Sequence, residues 1–466
     1  MPTDTPMDNL AARARAVLPA GGFGNFDADI FIREGRGSRV IDENGREFID
    51  YLISSGPMIL GHGHPEVNEA IREQLDRGMT FFANNSAGVE LAEKICRTTA
   101  CADQLRYVST GGEADMYAMR LARAHTGRSR ILKFEGGYHG MSAEALMSLA
   151  PTRLQNFPRP VPDSAGIPET VEDGILVAPF NDADFAASLI DEHADDIAGV
   201  IVEPLQRLIP PAPGFLEALR EKTRQHGIVL IFDEVVTGFR LAYGSAQEAY
   251  GVTPDLCTLG KIIGGGLPLA AIAGREDIMR HFDKDAVGAE GFTFQIGTLS
   301  GNPLAAIAGL KTLEILRREG SYETLYATGK RLMAAMSDPL AAQGIAHQIV
   351  GAPVLFDVIF TATPVRNYRD IQTGDARLAT IFNSAVRERG ILKPAAKLYP
   401  HLALGEADLA QTEAAFAYAA GCRRNRRGVG FKPCRKIPPR RIRMCRSRQA
   451  GAPGLPASSR RRIWHR

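Results

Sequence analysis

The feature that most limits the fold is an alternation of strand-like and helix-like stretches between Gly56 and Leu310. Arg106–Thr110, Arg130–Phe134, Gly199–Glu203, Ile228–Asp233 and Leu269–Ala273 read as short strands, while Glu113–His125 and Gly214–His226 carry helical periodicity. Alternation over this length predicts an α/β fold with a mostly parallel central sheet. Upstream, Asn44-Gly45 separates Arg39–Asp42 from Glu47–Leu52 and predicts a hairpin with positive φ at both central residues. Helical patterns resume after Gly320 and run to Ala420. We expect residues 56–315 to form a large domain. Residues 1–55 and 316–421 would build a smaller α+β domain from both ends of the chain, a division that 466 residues accommodate.

Charge divides the chain differently. The formal net charge of +2 averages two unlike pieces: Cys422 to Arg466 holds 16 Lys or Arg and no Asp or Glu, leaving 39 basic against 53 acidic residues elsewhere, a formal charge of −14. A basic tail of this kind can bind nucleic acid or an acidic membrane. The stretch lacks helical or alternating periodicity, so residues 422–466 are expected to be disordered and uninvolved in catalysis, with nucleic acid an unfavoured partner. No apolar run approaches the roughly 20 residues of a membrane span, and Met1 to Leu10 lacks the apolar core of a secretory signal. Six irregularly spaced cysteines make no disulfide framework. The expected location is the cytoplasm.

Several short motifs carry chemistry. Gly227-Ile-Val-Leu-Ile-Phe-Asp233 delivers an acid at the carboxyl end of a strand, where open α/β sheets place their ligands. Leu259-Gly260-Lys261, followed by Gly264-Gly265-Gly266, puts a lysine in an apolar, glycine-rich stretch. An unpaired buried ammonium is costly, whereas a lysine that must act as a nucleophile benefits from desolvation. Ser109-Thr110-Gly111-Gly112-Glu113 joins a strand to a helix; it is either a phosphate cradle or simply a tight turn. Tyr138 and His139 lie on a glycine-rich loop after a strand, where an aromatic ring can stack on a planar cofactor or merely pack in the core.

Taken in order, these motifs resemble the class-III, fold-type-I pyridoxal-phosphate enzymes, in the branch that contains glutamate semialdehyde aminomutase. The resemblance runs from about residue 30 to 420 through Gly56-Pro-Met-Ile-Leu-Gly-His-Gly-His-Pro65, Arg120-Leu-Ala-Arg123, Lys133-Phe-Glu-Gly-Gly-Tyr-His-Gly140 and Val202-Glu-Pro204. It continues through Gly214-Phe-Leu, Phe232-Asp-Glu-Val-Val-Thr-Gly-Phe-Arg240, Pro254-Asp255, Leu259-Gly-Lys-Ile-Ile-Gly-Gly-Gly266 and Gly297-Thr-Leu-Ser-Gly-Asn-Pro303. It implies that Lys261 holds pyridoxal phosphate as a Schiff base and shuttles the substrate proton, and that Asp233 pairs with the pyridine nitrogen. Tyr138 and Val235 would flank the ring, with His139 beside them and Glu203 near the ring hydroxyl. Gly111 and Gly112 would bind the phosphate, which Thr298 would reach from the other subunit of a homodimer. His62 and His64 match the family without a metal, so no metal site is expected.

The departures from the aminomutase fall near the expected substrate pocket. Ser54-Ser55 replaces a serine-tryptophan pair, Thr110-Gly111-Gly112 lacks the usual threonine of the phosphate turn, and Leu205-Gln206-Arg207-Leu208 replaces small residues and asparagine. Pro19 to Asn25 stands where a Pro-Val-Arg is usual, and Lys397-Leu-Tyr-Pro400 where a different pocket segment is usual. Ser55, Arg207 and Lys397 are therefore the candidate substrate residues, Arg207 for a carboxylate, which a guanidinium grips through both oxygens. These departures favour a transaminase moving an amino group between an amino acid, or an ω- or β-amino acid, and a carbonyl acceptor. The alternative is the aminomutase; the remote one is a non-catalytic binding protein.

Overall fold

The computed structural model describes residues 6–422, so the basic segment beyond Cys422 lies outside the described residues. Seven strands form the central sheet: β1 (Gln104–Val108), β2 (Arg130–Phe134), β3 (Ile175–Ala178), β4 (Ile197–Val202), β5 (Val229–Asp233), β6 (Leu256–Leu259) and β7 (Ala270–Gly274). Their spatial order is β1-β7-β6-β5-β4-β2-β3. Only β7 runs against its neighbours, pairing antiparallel with β1 and β6; every other pairing is parallel.

Both faces of this sheet are covered, which is why its strands are apolar throughout. Along β4, Ala198 and Ile201 enter one core while Val200 and Val202 enter the other. β5 divides the same way, with Val229 and Ile231 opposite Leu230 and Phe232. The apolar alternation ends at Asp233, so β5 delivers its carboxylate to the sheet's C-terminal edge.

A second sheet joins the two ends of the chain. The strands Ile32–Arg36, Arg39–Asp42 and Glu47–Asp50 pair antiparallel, and Ile391–Leu392 adds parallel to the last of them. The predicted hairpin is present, but its turn differs. Asp42 and Arg46 close a three-residue loop, and of the two central residues only Gly45 has positive φ, at 77°. The Asp42 carboxylate explains this: Oδ1 accepts from the N–H groups of Asn44 and Arg46 at 3.0 and 2.8 Å, which replaces the two-residue turn by a wider one. Helices Ser321–Ala342, Ala376–Glu388 and Glu406–Gly421 pack around the strands Gln348–Ala352 and Leu355–Ile359. Among the described residues, no helix is long and apolar enough to cross a membrane.

Candidate active site

At the C-terminal edge of the sheet, Asp233 meets three polar partners. Its Oδ2 lies 2.8 Å from His139 Nδ1, its Oδ1 accepts from the Val235 N–H at 3.1 Å, and Thr258 Oγ1 is 3.5 Å away. Thr258 also donates to Asp115 Oδ1 at 2.6 Å. Asp115 is buried against Asp233, and burial together with the Asp233 charge holds its carboxyl well above the usual carboxylate range. Burial and the neighbouring carboxylate thus favour the neutral form of Asp115.

Among the described residues, Asp115, His139 and Asp233 also bring three potential metal-ligand atoms within 4.8 Å of one another. Two of them are already hydrogen-bonded to each other, and the third accepts from Thr258. His62 is committed elsewhere, with Nε2 2.7 Å from Asp50 Oδ2.

Helix Gly111–Thr126 begins beside this network. Thr110 caps it: its hydroxyl accepts from the Glu113 N–H at 3.2 Å, and Glu113 Oε2 accepts from the Thr110 N–H at 2.8 Å. This capping box leaves the first-turn N–H groups of Gly111 and Gly112 without an intrahelical acceptor, which is the physical basis of anion binding at a helix start. Both glycines are closely packed. A Cβ on Gly111 would come within 2.7 Å of a Val235 methyl, and one on Gly112 within 3.1 Å of the Gly140 Cα. The chain thus wraps tightly round a cradle bounded by Gly111, Gly112, Val235 and the Tyr138–Gly140 loop.

That loop is pinned from below. The Tyr138 N–H donates to Glu203 Oε2 at 2.9 Å, and Glu203 is buried at the end of β4. One residue before the loop's glycines, Glu135 takes a bidentate pair from Arg369, with contacts of 2.7 and 3.0 Å. The C-terminal part of the chain thereby holds the same loop.

Lys261 follows β6 with φ of 50°, a left-handed conformation that non-glycine residues adopt at a cost. Burial lowers its ammonium pKa, and the positive charges of Lys397 and Arg240 add to the effect. Its Nζ has no hydrogen-bond partner among the described residues. A desolvated amine on a strained turn beside an aspartate is the arrangement of a nucleophile.

Arg207 and Lys397 come together above the loop. Gln206 and Ile209 exchange backbone hydrogen bonds of 2.9 and 2.8 Å, which makes Arg207 and Leu208 the corners of a tight hairpin turn. Arg207 sits there with φ of 60°, where glycine would be the ordinary choice. The turn aims its guanidinium at the Tyr138 ring, 5.2 Å from the centroid, and no carboxylate partners it among the described residues. Lys397 is desolvated and faces Arg207, and both effects lower its pKa to about 8 against the opposing pull of Glu203 and Asp233.

Two sequence candidates are not drawn into this cluster. Ser55 is exposed, within the run Ile53, Ser54, Ser55 and Gly56, all four of which have positive φ. Thr298 is exposed on a loop whose Phe294, Ile296 and Leu299 are also exposed, and this chain's own pocket does not use it. Sequence reasoning passed over Asp115, Arg240 and Tyr399. The signal for Asp115 was an acid on the otherwise apolar stripe of Ala114, Ala118 and Ala122.

A family described as aminotransferase class-III matches residues 24–417. Glutamate-1-semialdehyde 2,1-aminomutase 2 of Brevibacillus brevis is 42% identical over 389 residues, 82% of this chain and 89% of its own length. Glutamate-1-semialdehyde 2,1-aminomutase of Neisseria meningitidis is 43% identical over 392 residues, 82% of this chain and 90% of its own. The crystal structure of an omega-transaminase from Sphaerobacter thermophilus superposes with a TM-score of 0.84 at 34% identity, covering 90% of this chain and 98% of that one.

Proposed function

The chain belongs to the class-III aminotransferase family, and on that premise we propose that it moves an amino group within or between small carboxylate-bearing substrates, with the aminomutase reaction on glutamate 1-semialdehyde as the leading reading. Pyridoxal phosphate is the family's cofactor. The glycine turn fits it: the first-turn N–H groups of Gly111 and Gly112 have no intrahelical acceptor, and the close packing of Gly111 on Val235 and of Gly112 on Gly140 holds that helix start in place. Bound there, the cofactor supplies an electron sink for the pair left behind when a substrate carbon gives up its proton.

The protein's own groups do the rest in this reading. Asp233, oriented by His139 and the Val235 N–H, would pair with the ring nitrogen. Gly111 and Gly112 would hold the phosphate by backbone N–H groups, and Tyr138 and Val235 would flank the ring. Glu203 fixes Tyr138 through the backbone. Lys261 would hold the cofactor, and its desolvated amine would take the proton from the substrate carbon and return it. Arg207 and Lys397 grip the carboxylate. Thr298 would come from a second copy, in keeping with its exposure on an apolar loop.

One observation carries the preference for the aminomutase: relatives at 42% and 43% identity over some four-fifths of the chain bear that name. This reverses the order expected from the residues at Ser55 and Arg207 alone. A two-substrate transaminase is the second reading, favoured by the 34% identical omega-transaminase structure and by those same altered pocket residues.

The deciding assay offers glutamate 1-semialdehyde with no second substrate. Turnover to its amino-shifted isomer supports the aminomutase. Turnover only when an amine donor and a carbonyl acceptor are both present supports the transaminase. A purified protein that neither turns yellow with pyridoxal phosphate nor reacts with any amine would overturn both.

A further inference from the structure

Tyr399 has no role in the site as described, yet its placement is unusual. It is fully buried, and its hydroxyl has no hydrogen-bond partner among the described residues. A buried unpaired hydroxyl is costly and calls for an explanation.

The surrounding backbone explains where the ring points. Leu398 exchanges backbone hydrogen bonds with Phe356 at 2.7 and 3.2 Å, and the Tyr399 N–H donates to the Tyr51 carbonyl at 3.2 Å. Side chains alternate along such an extended stretch. Leu398 enters the core around Phe356 and Tyr51, while Tyr399 enters the core of the central sheet, on the side that Lys397 shares. A Cβ built on Gly56 would lie 3.2 Å from Tyr399 Cε1 and 3.5 Å from Lys261 Cδ, so the ring edge and the lysine stem meet across a bare glycine.

Arg240 closes the other side. Its Cζ lies 5.2 Å from the Tyr399 ring centroid, and its N–H groups go to the carbonyls of Gly56, Val354 and Pro400. No carboxylate partners Arg240 among the described residues. Of the titratable groups acting on Lys261, Tyr399 acts most strongly and favours the charged amine; Asp233 also favours it, whereas Lys397 and Arg240 oppose it.

We propose that Tyr399 is the positioning residue for Lys261: its oxygen accepts one N–H of the released amine and turns the amine's lone pair toward the substrate carbon. The proton then passes from that carbon to Nζ, no bond to Tyr399 is made or broken, and the hydrogen bond strengthens as the amine becomes ammonium. The inference rests on Lys261 being the proton-moving amine of the proposed reaction.

The test is Tyr399→Phe, which keeps the ring and deletes the hydroxyl. In the holoenzyme, kcat is expected to fall about ten- to hundred-fold, with KM for the amine substrate within about three-fold. The acidic limb of the kcat–pH profile should move to lower pH, because a stabiliser of the ammonium is lost. The apoprotein should melt at the same temperature or higher, since its hydroxyl has no partner to lose. The variant should still take up pyridoxal phosphate with the wild-type absorbance; a wild type that fails to do so would count against the family reaction instead. Wild-type kcat and pH profile in the variant would overturn the proposal, and so would an apoprotein that melts several degrees lower, which would mark a structural hydroxyl.

Discussion

His139 and Asp233 are joined by a hydrogen bond of 2.8 Å between Nδ1 and Oδ2, and both side chains are buried. The bond holds the carboxylate in one orientation at the sheet edge. Asp233→Asn keeps the shape and removes the charge. We expect kcat/KM to fall about 10- to 150-fold, the value of a hydrogen bond to a charged group. Steady-state kinetics with saturating cofactor check this; a change under two-fold would exclude Asp233 as the ring's charged partner.

Lys261→Ala should abolish turnover while leaving the cradle at Gly111 and Gly112 able to bind cofactor. Borohydride reduction followed by mass analysis should attach the cofactor to Lys261 in the wild type and leave the variant unlabelled. Attachment at another lysine would reject the assignment.

Arg207 separates stability from binding. Its left-handed backbone, φ 60°, costs about 1–2 kcal/mol, so Arg207→Gly removes strain together with the guanidinium. The melting temperature should hold or rise, while KM for carboxylate-bearing substrates rises about ten-fold or more through loss of a charge-assisted pair. Equal KM for the variant and wild type would make Arg207 a structural residue.

Lys397 gives the pH dependence. Desolvation first, and then the Arg207 charge, lowers its pKa to about 8, with Glu203 and Asp233 pulling the other way. It is therefore positive below that pH and loses its charge above it, so KM for a carboxylate substrate should climb between about pH 7 and 9. Lys397→Arg, charged throughout, should flatten the climb. A flat wild-type profile would remove Lys397 from the pocket.

Much of this site could be read from the chain because its chemistry is local. Asp233 ends an apolar run, Lys261 sits among glycines, and Gly111-Gly112 lies between a strand and a helix. Each of these is a short-range pattern with a physical reason. The strands Ile175–Ala178 and Leu256–Leu259 escaped because runs of four mostly apolar residues fit a buried strand or a helix turn equally well. Asp115, Arg240 and Tyr399 escaped for a different reason: their importance comes from contacts over long sequence separations, such as Arg240 to the Gly56 carbonyl, 184 residues away. The Asn44-Gly45 turn was misread because the side chain of Asp42 competes for the backbone.

The pairing of Leu398 with Phe356 has a bearing on how this protein could diversify. Lys397 and Tyr399 face the lysine only because they are two positions apart on an extended segment. Loss or gain of one residue ahead of the bridge would invert the segment, sending both side chains outward and Leu398 toward Lys261. A change of two residues would preserve their orientation. Length variation in this stretch is therefore constrained by parity, and new substrate preferences are more accessible by exchanging the residues at 397 and 399 than by inserting new ones.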